Sequence, residues 1–144
     1  MKIKEKLLEF YAENNLEDNG GVNKNWNQFK VGKFSFLFPN LNKKGYLLHD
    51  VNHLLCGYGI DWYGEFETAA WELGSGGRKG FGLSWFYPIM GSLLGLAFIP
   101  RRVITAFKLG LQRTNAHVLS KEINILEMEY HQVYKHSYKN ESNN

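Results

Sequence analysis

Apolar positions along this chain recur mainly with a helical period. From Lys2 to Glu13, the residues Ile3, Leu7, Leu8, Phe10 and Tyr11 return roughly every 3.6 positions among lysines and glutamates, which predicts a short amphipathic helix over 2–13. The run NNLEDNGGVNKN, rich in Asn, Asp and Gly, predicts a loop. FSFLF is apolar and β-favouring and is cut off by Pro39, so it predicts a lone extended segment. A second helix is expected from about Leu41 until Gly57 and Gly59 stop it. A third, WYGEFETAAWEL, follows Asp61 as its N-cap and ends at GSGG. Pro100 suits the first turn of a further helix with Val103, Ile104, Phe107 and Leu111 on one face. Ser120 is expected to cap a last helix carrying Ile123, Leu126, Tyr130 and Tyr134, and the polar tail HSYKNESNN to fray. No repeat, low-complexity block or linker divides the chain. Residues 1–144 read as one all-α domain, a compact helical bundle.

The stretch FGLSWFYPIMGSLLGLAFIP, Phe81 to Pro100, departs from this pattern because it holds no charge over 20 residues. That length can cross a bilayer. Pro88 near its middle predicts a break or kink, and Gly91 and Gly95 add further interruptions. A continuous span gains nothing from such breaks. The expectation is a peripheral segment in which Phe86 to Phe98 line a groove or exposed patch for an apolar chain, with Arg101 and Arg102 at the level of lipid head groups.

Composition narrows the function. Apolar residues make up 44% of 144, enough for a packed core. The formal charge is +3, and no basic run interleaves with aromatics, so nucleic acid is not the expected partner. The one cysteine, Cys56, excludes an internal disulfide and a cysteine-based zinc cluster, and fits a reducing compartment. The opening MKIKEKLLEF lacks the apolar core of a secretory signal, and its glutamates do not suit a mitochondrial transit peptide. A cytoplasmic protein, peripheral to a membrane, is expected.

The candidate chemistry lies in HDVNHLLCGYGIDWYGE, residues 49–65. At about 100° per residue on a helix, Asp50 lies about 100° from His49, and His53 returns to about 40°, between them. The three share one narrow face, and the i, i+4 histidine pair is the spacing of helical zinc sites. Glu65, in the first turn of the next helix, can fold back over that face. Imidazole nitrogen and carboxylate oxygen are the usual donors to Zn²⁺ and other divalent metals. The plainer reading is a set of surface polar residues. The flanking LL and LLCGY leave this helix little solvated face, and buried titratable groups need partners. Short His/Asp patterns recur by chance; Glu65, after an eleven-residue gap, adds specificity. Gly64, a costly residue in a first helical turn, is expected to permit close approach of the two helices.

His49, Asp50, His53 and, after eleven residues, Glu65 resemble the HDxxH-plus-Glu signature of the Coq-four family of ubiquinone-biosynthesis proteins. The flanks Gly57–Tyr58 and Gly64–Glu65 match too, and a weaker similarity continues through the apolar segment and Pro100–Arg102. The resemblance covers roughly residues 46 to 135, with residues 48–135 as the metal- and lipid-binding core. It implies a helical bundle, peripheral to a membrane, with His49, Asp50, His53 and Glu65 as ligands of a divalent metal, usually zinc. It implies a polyprenylated quinone precursor or other isoprenoid lipid as partner, with oxidative decarboxylation of the ring as the reaction. A homo-oligomer or partners in a biosynthetic complex are compatible with it. Glu67 and Glu72, on the Glu65 helix, are candidates for an outer partner or a base, and equally for solvated charges.

Two rival readings stand beside this. One is a non-catalytic isoprenoid-lipid-binding or scaffold protein with a structural metal, which four protein ligands and no exchangeable position would favour. The other is a metal-dependent hydrolase, which would need further ligands; His117, His131 and His136 have no aspartate near them. Arg101, Arg102, Lys108 and Arg113 can form either an anion-binding or a plainly solvated basic face.

Overall fold

The computed structural model of the chain describes residues 1–16, 26–31, 33–39 and 43–139. Helix α1, Ile3–Glu13, is followed by strands β1, Trp26–Val31, and β2, Phe34–Pro39. Helices α2, Lys43–Cys56, and α3, Trp62–Gly74, carry the signature. Then come a 3-10 turn, Gly82–Trp85, helices α4, Phe86–Phe98, and α5, Pro100–Gly110, and the short α6, Ala116–Leu119. A second 3-10 turn, Ile125–Glu127, leads to α7, Tyr130–His136. The fold is all-α, with one small hairpin, and a single core joins Ile3, Leu7, Leu48, Val51, Phe66, Trp71, Val103 and Val133.

Helix α3 is the centre. Asp61 caps it by accepting the Gly64 N–H at 3.1 Å, and nine of its thirteen residues are buried, Glu67 and Glu72 among them. Helices α4 and α5 both pack on it. Gly91 and Gly95 sit one turn apart on the packed side of α4: a Cβ at Gly91 would stand 2.7 Å from that of Ala69, and one at Gly95 2.8 Å from that of Phe66. These glycines draw two helices together rather than interrupting one. Pro88 likewise opens α4, as its third residue, where no intrahelical N–H bond is lost. The expected kink at Pro88 is therefore absent. No helix among the described residues is long and apolar enough to cross a membrane.

Four other expectations change. FSFLF is not alone: β2 pairs antiparallel with β1, Phe29 opposite Phe36. The packed face of α5 is Val103, Ala106 and Gly110, whereas Ile104, Phe107 and Leu111 point outward at 47%, 40% and 50% exposure. Their apolar character misled because periodicity marks an apolar stripe without saying what covers it. The region after Ser120 is not one helix; Asn115, not Ser120, caps α6 by accepting the Val118 N–H, and α7 starts only at Tyr130. The first part of the tail is held, since Ser137 is buried and Tyr138 bridges to Arg113. Residues 140–144, and 17–25 of the expected loop, lie outside the described residues.

Helix α1 closes over α2. The Ile3 N–H donates to the Met128 carbonyl, and the Tyr130 N–H to that of Met1, which ties α1 to the start of α7. Its Tyr11 is buried, and the hydroxyl donates to Asp50 at 2.9 Å.

Candidate metal centre

Three of the four signature residues converge. The Nε2 atoms of His49 and His53 are 3.2 Å apart, one helical turn bringing the rings together edge-on. Glu65, from the first turn of α3, places Oε2 3.1 Å from His49 Nε2 and Oε1 3.4 Å from His53 Nε2. A tetrahedral ion with bonds of about 2.0–2.1 Å has ligand-to-ligand edges of about 3.3–3.4 Å. The donors therefore already stand near the spacing a small divalent ion requires, and this His/His/Glu group can hold one.

Partners behind the rings fix which nitrogen faces inward. His53 Nδ1 lies 3.0 Å from the Tyr58 carbonyl, which only accepts, so Nδ1 carries the proton and Nε2 the lone pair. His49 Nδ1 lies 2.6 Å from Glu72 Oε1, and the same logic applies. Two lone pairs and a carboxylate thus share one point, an arrangement that repels itself unless a cation, proton or metal, sits within it. A carboxylate behind a ligating histidine is the usual outer support of a metal site. Glu72 is itself fully buried and held by Arg78 Nε at 3.0 Å and Asn52 Nδ2 at 2.8 Å. The expectation of Glu72 as a solvated charge is overturned. Glu67 is not solvated either; it takes two bonds from Arg102, at 2.8 and 2.7 Å.

Electrostatics agree with the geometry. Burial disfavours the His49 imidazolium, yet Glu72, with Glu65, outweighs it and raises the pKa to about 10. Burial would raise Glu65, but His53 and His49 draw it down to about 2. Without a metal, a proton is held on His49; a metal must displace it. The trio is open on one side, with the side chains of Glu65 and His49 26% and 15% exposed and that of His53 sealed at 0%. Phe10 closes the sealed side, its ring stacked on His53 at 6.0 Å.

Asp50 is placed differently. It is buried and accepts the Tyr11 hydroxyl, and it is not among the donor atoms that gather within 4.8 Å of one another. Burial pushes its pKa up to about 6 against the pull of both histidines. Gly64 does permit a close approach, but to the loop rather than to α2: a Cβ there would fall on the Gly59 carbonyl. The four basic residues do not form one face. Arg113 is buried on the Leu55 carbonyl and stacks on Tyr138, and Arg102 is occupied by Glu67 and Tyr63. His117 is a neutral structural group: it donates from Nε2 to the Gly45 carbonyl and accepts from Asn52, and burial lowers its pKa to about 4.

Sequence reasoning missed Asn52, Tyr11, Arg78 and the Tyr58 carbonyl. Asn52 had a signal, three residues after His49 on the same side of α2. Arg78, in a glycine-rich loop, had none. No family model matches this chain, and no curated protein or solved structure matches it either.

Proposed function

We propose that this chain is a divalent-metal protein that handles the polar head group of a polyprenylated quinone precursor at a membrane surface, as its resemblance to the Coq-four family implies. The observation that carries the reading is the trio of His49 Nε2, His53 Nε2 and Glu65, spaced 3.1–3.4 Å apart with both Nδ1 protons fixed outward. Zinc is the ion whose donor types and spacing fit best.

His49, His53 and Glu65 would hold the ion. When bound, it supplies a Lewis acid able to polarise a ring oxygen or carboxylate. Glu72 and the Tyr58 carbonyl hold the two imidazoles in the ligating tautomer, and Arg78 and Asn52 hold Glu72. Three protein donors with an open side suit a catalytic site better than a structural one, which closes its coordination with four. Asp50, engaged by Tyr11, supports α1 over the site. This favours catalyst over scaffold.

The test is native mass spectrometry of lipid co-purified with the protein, combined with release of labelled carbon dioxide from a ring-carboxyl-labelled polyprenyl hydroxybenzoate under air. Bound isoprenoid and metal-dependent release support the reading. Bound isoprenoid without release leaves the carrier reading in its place, and no isoprenoid at all overturns both.

A further inference from the structure

After α6 the chain turns tightly twice. The Glu122 and Ile123 N–H groups both donate to the Leu119 carbonyl, which ends α6 and reverses the chain. Asn124, at φ −81° and ψ 79°, then forms an inverse γ-turn, closed by the Ile125 N–H on the Ile123 carbonyl at 3.0 Å. Residues 120–126 and the first turns of α2 enclose a cleft of about 290 Å³. Leu47, Leu48, Ile123, Ile125 and Leu126 form its apolar wall, and none of His49, His53 and Glu65 lines it. That volume lies at the small end of ligand clefts, which start at about 300 Å³ and join an apolar lining to a few converging polar groups.

The rim supplies those polar groups. Lys44 comes from α2, and Lys121, Glu122 and Asn124 from the facing segment; all four are exposed. Neither lysine, nor Glu122, is in an ion pair among the described residues, although both cations and the carboxylate line one cleft. The Asn124 N–H has no hydrogen-bond partner among the described residues, whereas the Ile123 and Ile125 N–H groups on either side do. Two cations and an amide N–H are matched by a carboxylate, and one carboxylate by an ammonium. A ligand that carries both groups on one carbon, with an apolar body against the wall, meets the whole charge pattern.

We propose that this cleft binds a free α-amino acid with an aliphatic side chain of about the size of leucine. Lys44, Lys121 and the Asn124 N–H take its carboxylate, Glu122 takes its ammonium, and its side chain lies against Leu47, Ile123 and Leu126. A carboxylic acid without the ammonium leaves Glu122 unanswered, and an amine without the carboxylate faces two lysines. The assignment depends neither on a metal nor on a lipid.

The experiment is calorimetric titration of the full chain, with a chelator present, using L-leucine, L-alanine, isocaproate and isoamylamine. L-Leucine is expected to bind as a single molecule per chain. Isocaproate, which lacks the ammonium, and isoamylamine, which lacks the carboxylate, should each bind about tenfold more weakly or worse. So should L-alanine, which lacks most of the apolar body. Glu122→Gln should weaken L-leucine about tenfold and leave isocaproate unchanged, whereas Lys44→Gln with Lys121→Gln should weaken both. These positions are exposed, so helical circular dichroism and the thermal midpoint should stay as they are. A folded His53→Ala chain should bind L-leucine as the unaltered chain does, which separates this cleft from the metal reading; loss of binding there would place the amino acid on the metal centre and overturn the proposal. So would the absence of saturable binding at millimolar L-leucine, equal binding of L-leucine and isocaproate, or binding insensitive to the lysine pair and to Glu122.

Discussion

Replacing Glu72 by Gln separates the outer support of the candidate metal centre from the three residues that would ligate the ion. Glu72 accepts from His49 Nδ1 at 2.6 Å and from Arg78 and Asn52 at 3.0 and 2.8 Å, with none of its surface exposed. Gln fills the same volume but offers one oxygen and one amide group. If the oxygen takes the His49 proton, the amide meets Arg78, donor against donor, and strands a guanidinium that is 3% exposed. Breaking a buried pair in this way costs about 3–5 kcal/mol of stability. Separately, His49 loses the anion that orients it and raises its basicity. Loss of such a partner weakens metal binding about 10–100-fold, or about 1.4–2.7 kcal/mol. Adding Arg78→Met removes the stranded charge, so the double variant should recover most of the stability and none of the affinity. Thermal melts report the first quantity, and zinc titration against a chromophoric chelator the second. A folded Glu72→Gln/Arg78→Met protein that binds zinc as tightly as the unaltered chain would refute the assigned role.

Because His49 keeps its proton up to about pH 10 and Glu65 is ionised above about pH 2, metal binding should displace one proton, so the logarithm of zinc affinity should rise by about one per pH unit from neutral to about pH 9; a flat profile in calorimetric titration contradicts it. Gly64→Val drives a side chain onto the Gly59 carbonyl and should cost about 1–3 kcal/mol while weakening metal binding, with no ligand changed; unaltered stability and affinity would exclude the close approach. Asp50→Asn should keep about one metal per chain and lose less than about 2 kcal/mol, since Asp50 serves Tyr11; complete loss of metal from a folded variant would make Asp50 a ligand after all.

The local chemistry was legible where residues act through their own helix. Asp61 as a cap, Pro100 as a first residue and His49 with His53 on one face all follow from periods and caps, and all are present. Glu65 needed one further step, a turn that folds α3 back, and the glycines supplied it. What stayed hidden depends on tertiary neighbours. Asp50 shares the histidine face by angle, but Tyr11, 39 residues earlier, draws it away. The α5 stripe has the period of a buried face, yet α3 covers the adjacent side, where Ala106 and Gly110 let the backbones meet. Pro88 read as a break because the start of α4 could not be located in an uncharged run.

The central claim, that His49, His53 and Glu65 hold a divalent ion, is tested most directly by elemental analysis of the dialysed protein beside its His53→Ala variant. His53 is fully sealed, and its Nε2 lies 3.2 Å from His49 Nε2 and 3.4 Å from Glu65 Oε1. The account predicts close to one zinc or other divalent ion per chain, and its loss in a variant that keeps its helical content. Full stoichiometry retained in His53→Ala, or an unaltered protein that takes up no divalent ion when zinc is supplied, would contradict it.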